Sequence, residues 1–308
     1  MAGAYLRIDC EPLDCDLQER TFSSAVRVKI PTVPTNIDKG FKECCYTNYV
    51  FADLTSSDIY KNDFKGVFHQ KQTSSETCTF ILRKLSSNTD HVLNSSTYGV
   101  FKNFGTIPEN LNLATFKLEW RKVLQLHGEG AYTIIKRITV AGISVDIPSN
   151  TYELRKYSIR RANGTVRVDT KHNGRMVGIG VDFKGSNFET SLRTRGFFGN
   201  RDSNYIQDNH IYSNNEKTEQ VSILEEKKYQ FQMIRVPECI TDDFFSFTML
   251  ANEIIVSDYN INNHSYEMIR IPVVFSDNGG TKYTPQTRNA IINITFEYRY
   301  KNSKNINY

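Results

Sequence analysis

The chain has 308 residues, with 38 Lys and Arg against 34 Asp and Glu, a hydrophobic fraction of 39% and a charged fraction of 23%. That charge density is too low for a disordered chain, and no apolar stretch approaches the roughly 18 residues a spanning helix requires. The 17 Tyr and 19 Phe against a single Trp favour β surfaces over helix bundles.

The opening MAGAYLRIDCEPLD places acids where a signal peptide has its apolar segment, which predicts a soluble protein made in a cytoplasm. Alternation predicts strands at Phe22 with Ala25 to Ile30, at Cys44 to Phe51 and at Thr77 to Leu85. Asn88-Thr89-Asp90 supplies a turn into a short strand at His91 to Leu93. Phe116, Leu118 and Trp120 alternate, and then Val123, Leu124 and Leu126 fit a short helix stopped by Gly128. A strand over Gly130 to Val140 turns at Ala141-Gly142 into Ile143 to Ile147, where Pro148 predicts its end and a domain boundary.

Beyond that boundary, strands are predicted at Tyr152 to Ile159, Thr165 to Asp169, Met176 to Lys184 and Phe188 to Arg195. Asn163-Gly164 and Asn173-Gly174 read as type I′ hairpin turns, because both central residues of that turn need positive φ. Gly199 to Asn215 lacks periodicity and reads as a long polar loop of the kind that contacts partners. A strand over Glu219 to Arg235 precedes a short helix near residues 241–251, with Thr241-Asp242-Asp243 at its start. Strands at Glu253 to Tyr259, Tyr266 to Phe275 and Ala290 to Tyr300 follow, joined by the tip Asn260 to His264 and the turn Ser276 to Gly280. The fold class is mainly β: two antiparallel β-sandwich or barrel-like domains, 1–148 and 149–308, with one or two short helices.

Chemistry-bearing motifs are absent from the sequence. The six cysteines, at 10, 15, 44, 45, 78 and 239, contain no Cys-x-x-Cys and read as reduced thiols. The six histidines are scattered, without a metal-ligand spacing, and there is no nucleophile elbow or phosphate loop. No catalytic residue, metal or cofactor is therefore assigned, and the chain reads as non-enzymatic. Charge is uneven: basic side chains dominate Thr151 to Arg201, while Asp9, Glu11, Asp14, Asp16 and Glu19 make the N-terminus acidic. Arg155, Arg160, Arg167 and Arg175 are the candidates to face DNA or an acidic partner, and Tyr205, Tyr212, Asn262 and His264 the candidates for intersubunit contact.

Phe116 to Leu124 with Gly128 to Tyr132, Gly196-Phe197-Phe198-Gly199, and Asn263-His264-Ser265-Tyr266 through Asn289 to Tyr300 resemble structural tail proteins of tailed bacteriophages infecting Bacteroidetes, crAss-like phages included. The resemblance implies a virion protein of the tail hub, distal tail or neck. It would assemble into a ring around the DNA channel, touch other tail or neck proteins and the passing genome, and insert in no membrane. Two other readings compete: a carbohydrate- or receptor-binding module using Tyr205, Tyr212 and Tyr259, and a hydrolase of unfamiliar type.

Overall fold

The computed structural model describes residues 48–71, 73–176, 180–212, 217–237, 240–241, 244–245, 247–264, 268–284, 289–300 and 302–305. The predicted strand at Phe22 to Ile30, the acidic N-terminal run and every cysteine but Cys78 lie outside these residues.

The first half supplies β1 (Asn48–Ala52), β2 (Phe64–Gln70), β3 (Thr77–Lys84), β4 (Thr89–Val92), β5 (Gly99–Lys102) and β6 (Leu113–Glu119). Helix α1 (Trp120–His127), β7 (Gly130–Val140) and β8 (Ile143–Lys156) follow. They form a five-stranded sheet, β1-β8-β7-β3-β4, and a three-stranded sheet, β2-β6-β5. One apolar core joins the two, with Phe80 and Leu82 from β3 meeting Phe116 and Leu118 from β6. Helix α1 forms where predicted. Trp120, Val123 and Leu124 are buried, and Gly128 ends the helix with φ +77°, its N–H donating to the Leu124 carbonyl. Ala141 and Gly142 both take positive φ between β7 and β8, as a two-residue hairpin requires.

Three expectations for this half change. The pairing of β1 with β8 is parallel, not antiparallel. Pro148 lies inside β8, opposite Ile135 and beside a register shift, before the pairing with β1 begins at Tyr152. Its missing N–H therefore breaks no ladder on the β1 side. The chain leaves this pair of sheets only after Lys156, so the change of sheet comes later than the boundary expected at Pro148.

The second half supplies α2 (Ile159–Ala162), β9 (Thr165–His172), β10 (Arg175–Met176), β11 (Val181–Asp182), β12 (Phe188–Tyr212) and β13 (Lys217–Pro237). It continues with β14 (Glu253–Asp258), α3 (Ile261–His264), β15 (Ile271–Thr284), β16 (Asn289–Tyr298) and β17 (Asn302–Asn305). Strands β12-β9-β14-β15-β16-β13 run in order, and β13 pairs back with β12, closing a six-stranded barrel; β17 adds to β13. Alternation places Ile292, Ile294 and Phe296 of β16 inside, with Val166 and Val168 of β9 and Phe231 and Met233 of β13. Ile240 and Phe244 complete this core, and Phe244 stacks on Phe231 at 5.6 Å. The barrel is thus filled by side chains, as small barrels are.

The Asn-Gly dipeptides serve other ends than the predicted hairpins. Asn163 has φ −56° at the exit of α2, and only Gly164 takes positive φ, because β8 and β9 belong to different sheets. Asn173-Gly174 links β9 to β10, which pairs with β11 and not with β9. The run Met176 to Lys184, expected as one strand, folds back between β10 and β11. Ser276 to Gly280 is not a turn either. It lies within β15, whose pairing with β16 shifts register on both sides of Asp277, so the extra residues are absorbed as bulges. In the region of the predicted helix, Ile240, Thr241, Phe244 and Phe245 are helical and a 3-10 turn follows at Thr248–Leu250.

Candidate functional site

The four candidate arginines lie in different surroundings. Arg160 is exposed on α2, before β9, and Arg175 is exposed on β10, after it. The length of β9, about 25 Å of strand, separates them. Arg155 on β8 donates from Nε to Glu153 at 2.8 Å, with its guanidinium 5.2 Å from the Tyr49 ring centre. Arg167 departs most from the expectation: it is fully buried.

Arg167 is buried because the outer face of β9 is covered. Val166 and Val168 point into the barrel, so Arg167 and Asp169 point out of it, toward the first pair of sheets. The register sets Arg193 of β12 directly opposite Arg167. Two buried guanidinium groups side by side repel, and Asp63 resolves the conflict. Its carboxylate accepts from Arg167 Nη1 at 2.9 Å, from Arg193 Nε and Nη2 at 2.8 and 2.7 Å, and from the Phe51 N–H at 2.8 Å. Arg167 Nη2 donates to Asp169 at 2.8 Å, and Arg167 Nη1 also reaches the carbonyls of Ile59 and Asn62. Arg193 lies 4.0 Å from the centre of the Tyr259 ring and donates from Nη1 to Thr165 Oγ1 at 2.9 Å. Burial pushes the Asp63 carboxyl toward neutrality, but the two guanidiniums outweigh it and hold the group below the usual carboxylate range.

This cluster is a weld between the two halves of the chain. Asp63, Phe51, Ile59 and Asn62 come from β1 and the segment leading to β2, whereas Arg167, Arg193 and Tyr259 come from the barrel. Tyr259, expected as an exposed sugar-stacking ring, is fully buried here and donates its hydroxyl to the Tyr60 carbonyl at 2.5 Å. Lys117 of β6 adds an ion pair to Glu189 of β12.

Two histidines, one on β2 and one on β9, are also buried. His69 Nε2 sits 2.5 Å from Glu76 Oε1, and burial together with Lys136 lowers the His69 pKa to about 4 despite that acid. His172 stacks on Phe247 at 4.1 Å, beside Phe183 and Phe188; neither ring nitrogen has a partner among the described residues. Burial lowers its pKa to about 4 as well. A cavity of about 40 Å³ touches Asp63, Arg193, Ser191 and Asn150, whose Oδ1 lacks a partner among the described residues. That space suits a few waters rather than an organic substrate. Among the described residues no group of His, Cys, Asp and Glu is placed to hold a metal ion, and no helix is long and apolar enough to cross a membrane.

The segment read as a loop from Gly199 to Asn215 is mostly strand. At 25 and 21 residues, β12 and β13 far exceed ordinary strand length. Only Phe188–Arg195 of β12 pairs with β9, and only Lys228–Pro237 of β13 pairs with β16. Beyond them, Asp202–Tyr212 pairs with Lys217–Lys228 as a ribbon roughly 35 Å long. Strand β17 lines its β13 side at Ser222–Glu225. Tyr205, opposite Glu225, lies along the ribbon, and Tyr212, opposite Lys217, lies at its far end. Asn262 and His264 sit instead on α3, with Asn262 exposed. Where β12 leaves β9, the buried Asp258 accepts the N–H of Phe198 at 2.8 Å, and a register shift between Gly199 and Asp202 opens the ribbon. Beyond the closed part of the barrel, the outer edge of Asp202–Tyr212 is unpaired among the described residues.

A search for similar proteins finds no matching family model, no matching curated protein and no matching solved structure.

Proposed function

We propose that the chain is a non-enzymatic assembly subunit, a structural protein of a phage tail that builds a ring around the DNA channel as hub, distal-tail or neck component. The supporting observation is the ribbon. A closed barrel welded to a second β unit carries a two-stranded arm whose outer edge is open over Asp202–Tyr212. Such an arm is marginally stable alone and gains backbone hydrogen bonds by pairing with another chain. In this reading the first two sheets form a sandwich-like domain and the barrel forms a second domain.

If the ring encloses DNA, Arg160, Arg175 and the partly exposed Arg155 are the contacts, weak and salt-sensitive as transit requires. Arg167 is removed from that set by its burial. The carbohydrate-binding reading loses Tyr259 in the same way. Negative-stain microscopy of the purified chain, with mass spectrometry of virions, tests the proposal. Rings and incorporation into particles are expected. Uniform monomers at high concentration, together with absence of the chain from virions, would overturn it.

A further inference from the structure

The ribbon has two sides, and both end in open edges among the described residues: Asp202–Tyr212 of β12 on one side and Asn302–Asn305 of β17 on the other. Their charges differ. From Asp202 to Tyr212 the sequence DSNYIQDNHIY holds two acids and no Lys or Arg, whereas Asn302-Ser303-Lys304-Asn305 holds one Lys and no acid. The β12 edge also lacks the proline and lysine that usually blunt an exposed strand.

We propose that copies of this chain join head to tail, the β12 ribbon edge of one adding to the β17 edge of the next in a continuous sheet whose repeat is β12-β13-β17. This rests on the assembly reading above and names its contact. Pairing β12 with β12 would set an acidic edge against itself, and pairing β17 with β17 would oppose two copies of Lys304; only the unlike pair is complementary in charge. A contact between unlike edges is heterologous, the type that closes into a ring when the rotation between subunits closes. The four residues of β17 supply few hydrogen bonds per contact. Stable assembly therefore draws on closure, where each subunit is held on both sides.

Mass photometry and sedimentation velocity on the full chain at low and moderate salt test this with three variants: Lys304→Glu, the pair Asp202→Lys with Asp208→Lys, and all three together. Each single-edge reversal is expected to raise the concentration at half-assembly about tenfold, and the triple variant to restore it to within about threefold of the parent. Restoration also shows that the reversed chains fold, and thermal melts of each variant check this independently. Assembly that ignores both reversals would overturn the edge pairing while leaving the assembly reading in place. A parent chain monomeric at every concentration would overturn the edge pairing, and together with absence from virions it would overturn the assembly reading as well.

Discussion

Arg167 on β9 and Arg193 on β12 stand opposite each other in the antiparallel register, and one buried carboxylate, Asp63, binds them both. The barrel strands could not keep this pair buried alone. The anion comes from the other half of the chain, so the buried pair is compensated only when the two halves pack together.

Replacing Asp63 with Asn keeps the shape and removes the charge. Two buried guanidiniums then face each other with only Asp169 to compensate, and a loss of about 3–5 kcal/mol is expected. Urea unfolding measures it. Adding Arg193→Gln should recover part of the loss, because removing the second cation is coupled to removing the anion.

Acid should weaken the fold before carboxylates titrate. His172 and His69 have folded pKa values lowered to about 4, against an unfolded value near 6.5. The unfolded chain therefore binds more protons between these values. The contribution is full above pH 6.5, falls as pH drops, and is gone below about 4; His172 alone accounts for about 3 kcal/mol. Thermal melts of His172→Phe, which suits the ring cluster of Phe183, Phe188 and Phe247, should show a shallower decline over this window. An unchanged slope would count against the assignment.

Ala141 holds φ +49° in the β7–β8 turn, a conformation that disfavours a Cβ. Ala141→Asn should stabilise the protein by about 0.5–1 kcal/mol, seen as a higher denaturation midpoint.

Gly66 of β2 lies so close to β12 that an added Cβ would sit 2.0 Å from the Glu189 carbonyl oxygen. Gly66→Ala should cost about 1–3 kcal/mol by forcing the two strands apart. A midpoint equal to that of the parent would mean the strands separate at no cost.

Local pattern made much of this fold legible. The alternation of Ile292, Ile294 and Phe296, the cap at Gly128 and the Ala141-Gly142 turn depend on neighbours in sequence, and each reads correctly. What failed depends on partners far along the chain. Gly199 to Asn215 lacks apolar alternation because much of it pairs outside the barrel, where no core selects for alternation. The Asn-Gly steps looked like hairpins, since nothing local says that β8 and β9 join different sheets. For the weld, the alternating Val166-Arg167-Val168-Asp169 was a usable sign: opposite charges at every second position on a strand whose other face is apolar. It pointed to a face meeting something polar, and the something was Asp63 rather than DNA.

Hydrogen–deuterium exchange over Asp202–Tyr212, followed as a function of protein concentration, tests the ribbon as an assembly edge most directly. Amides of this strand that point away from β13 should exchange freely in dilute protein and become protected as subunits assemble, while barrel amides such as those of Ile292 to Phe296 stay protected throughout. Exchange across Asp202–Tyr212 that is independent of concentration in a sample shown to assemble would contradict the account.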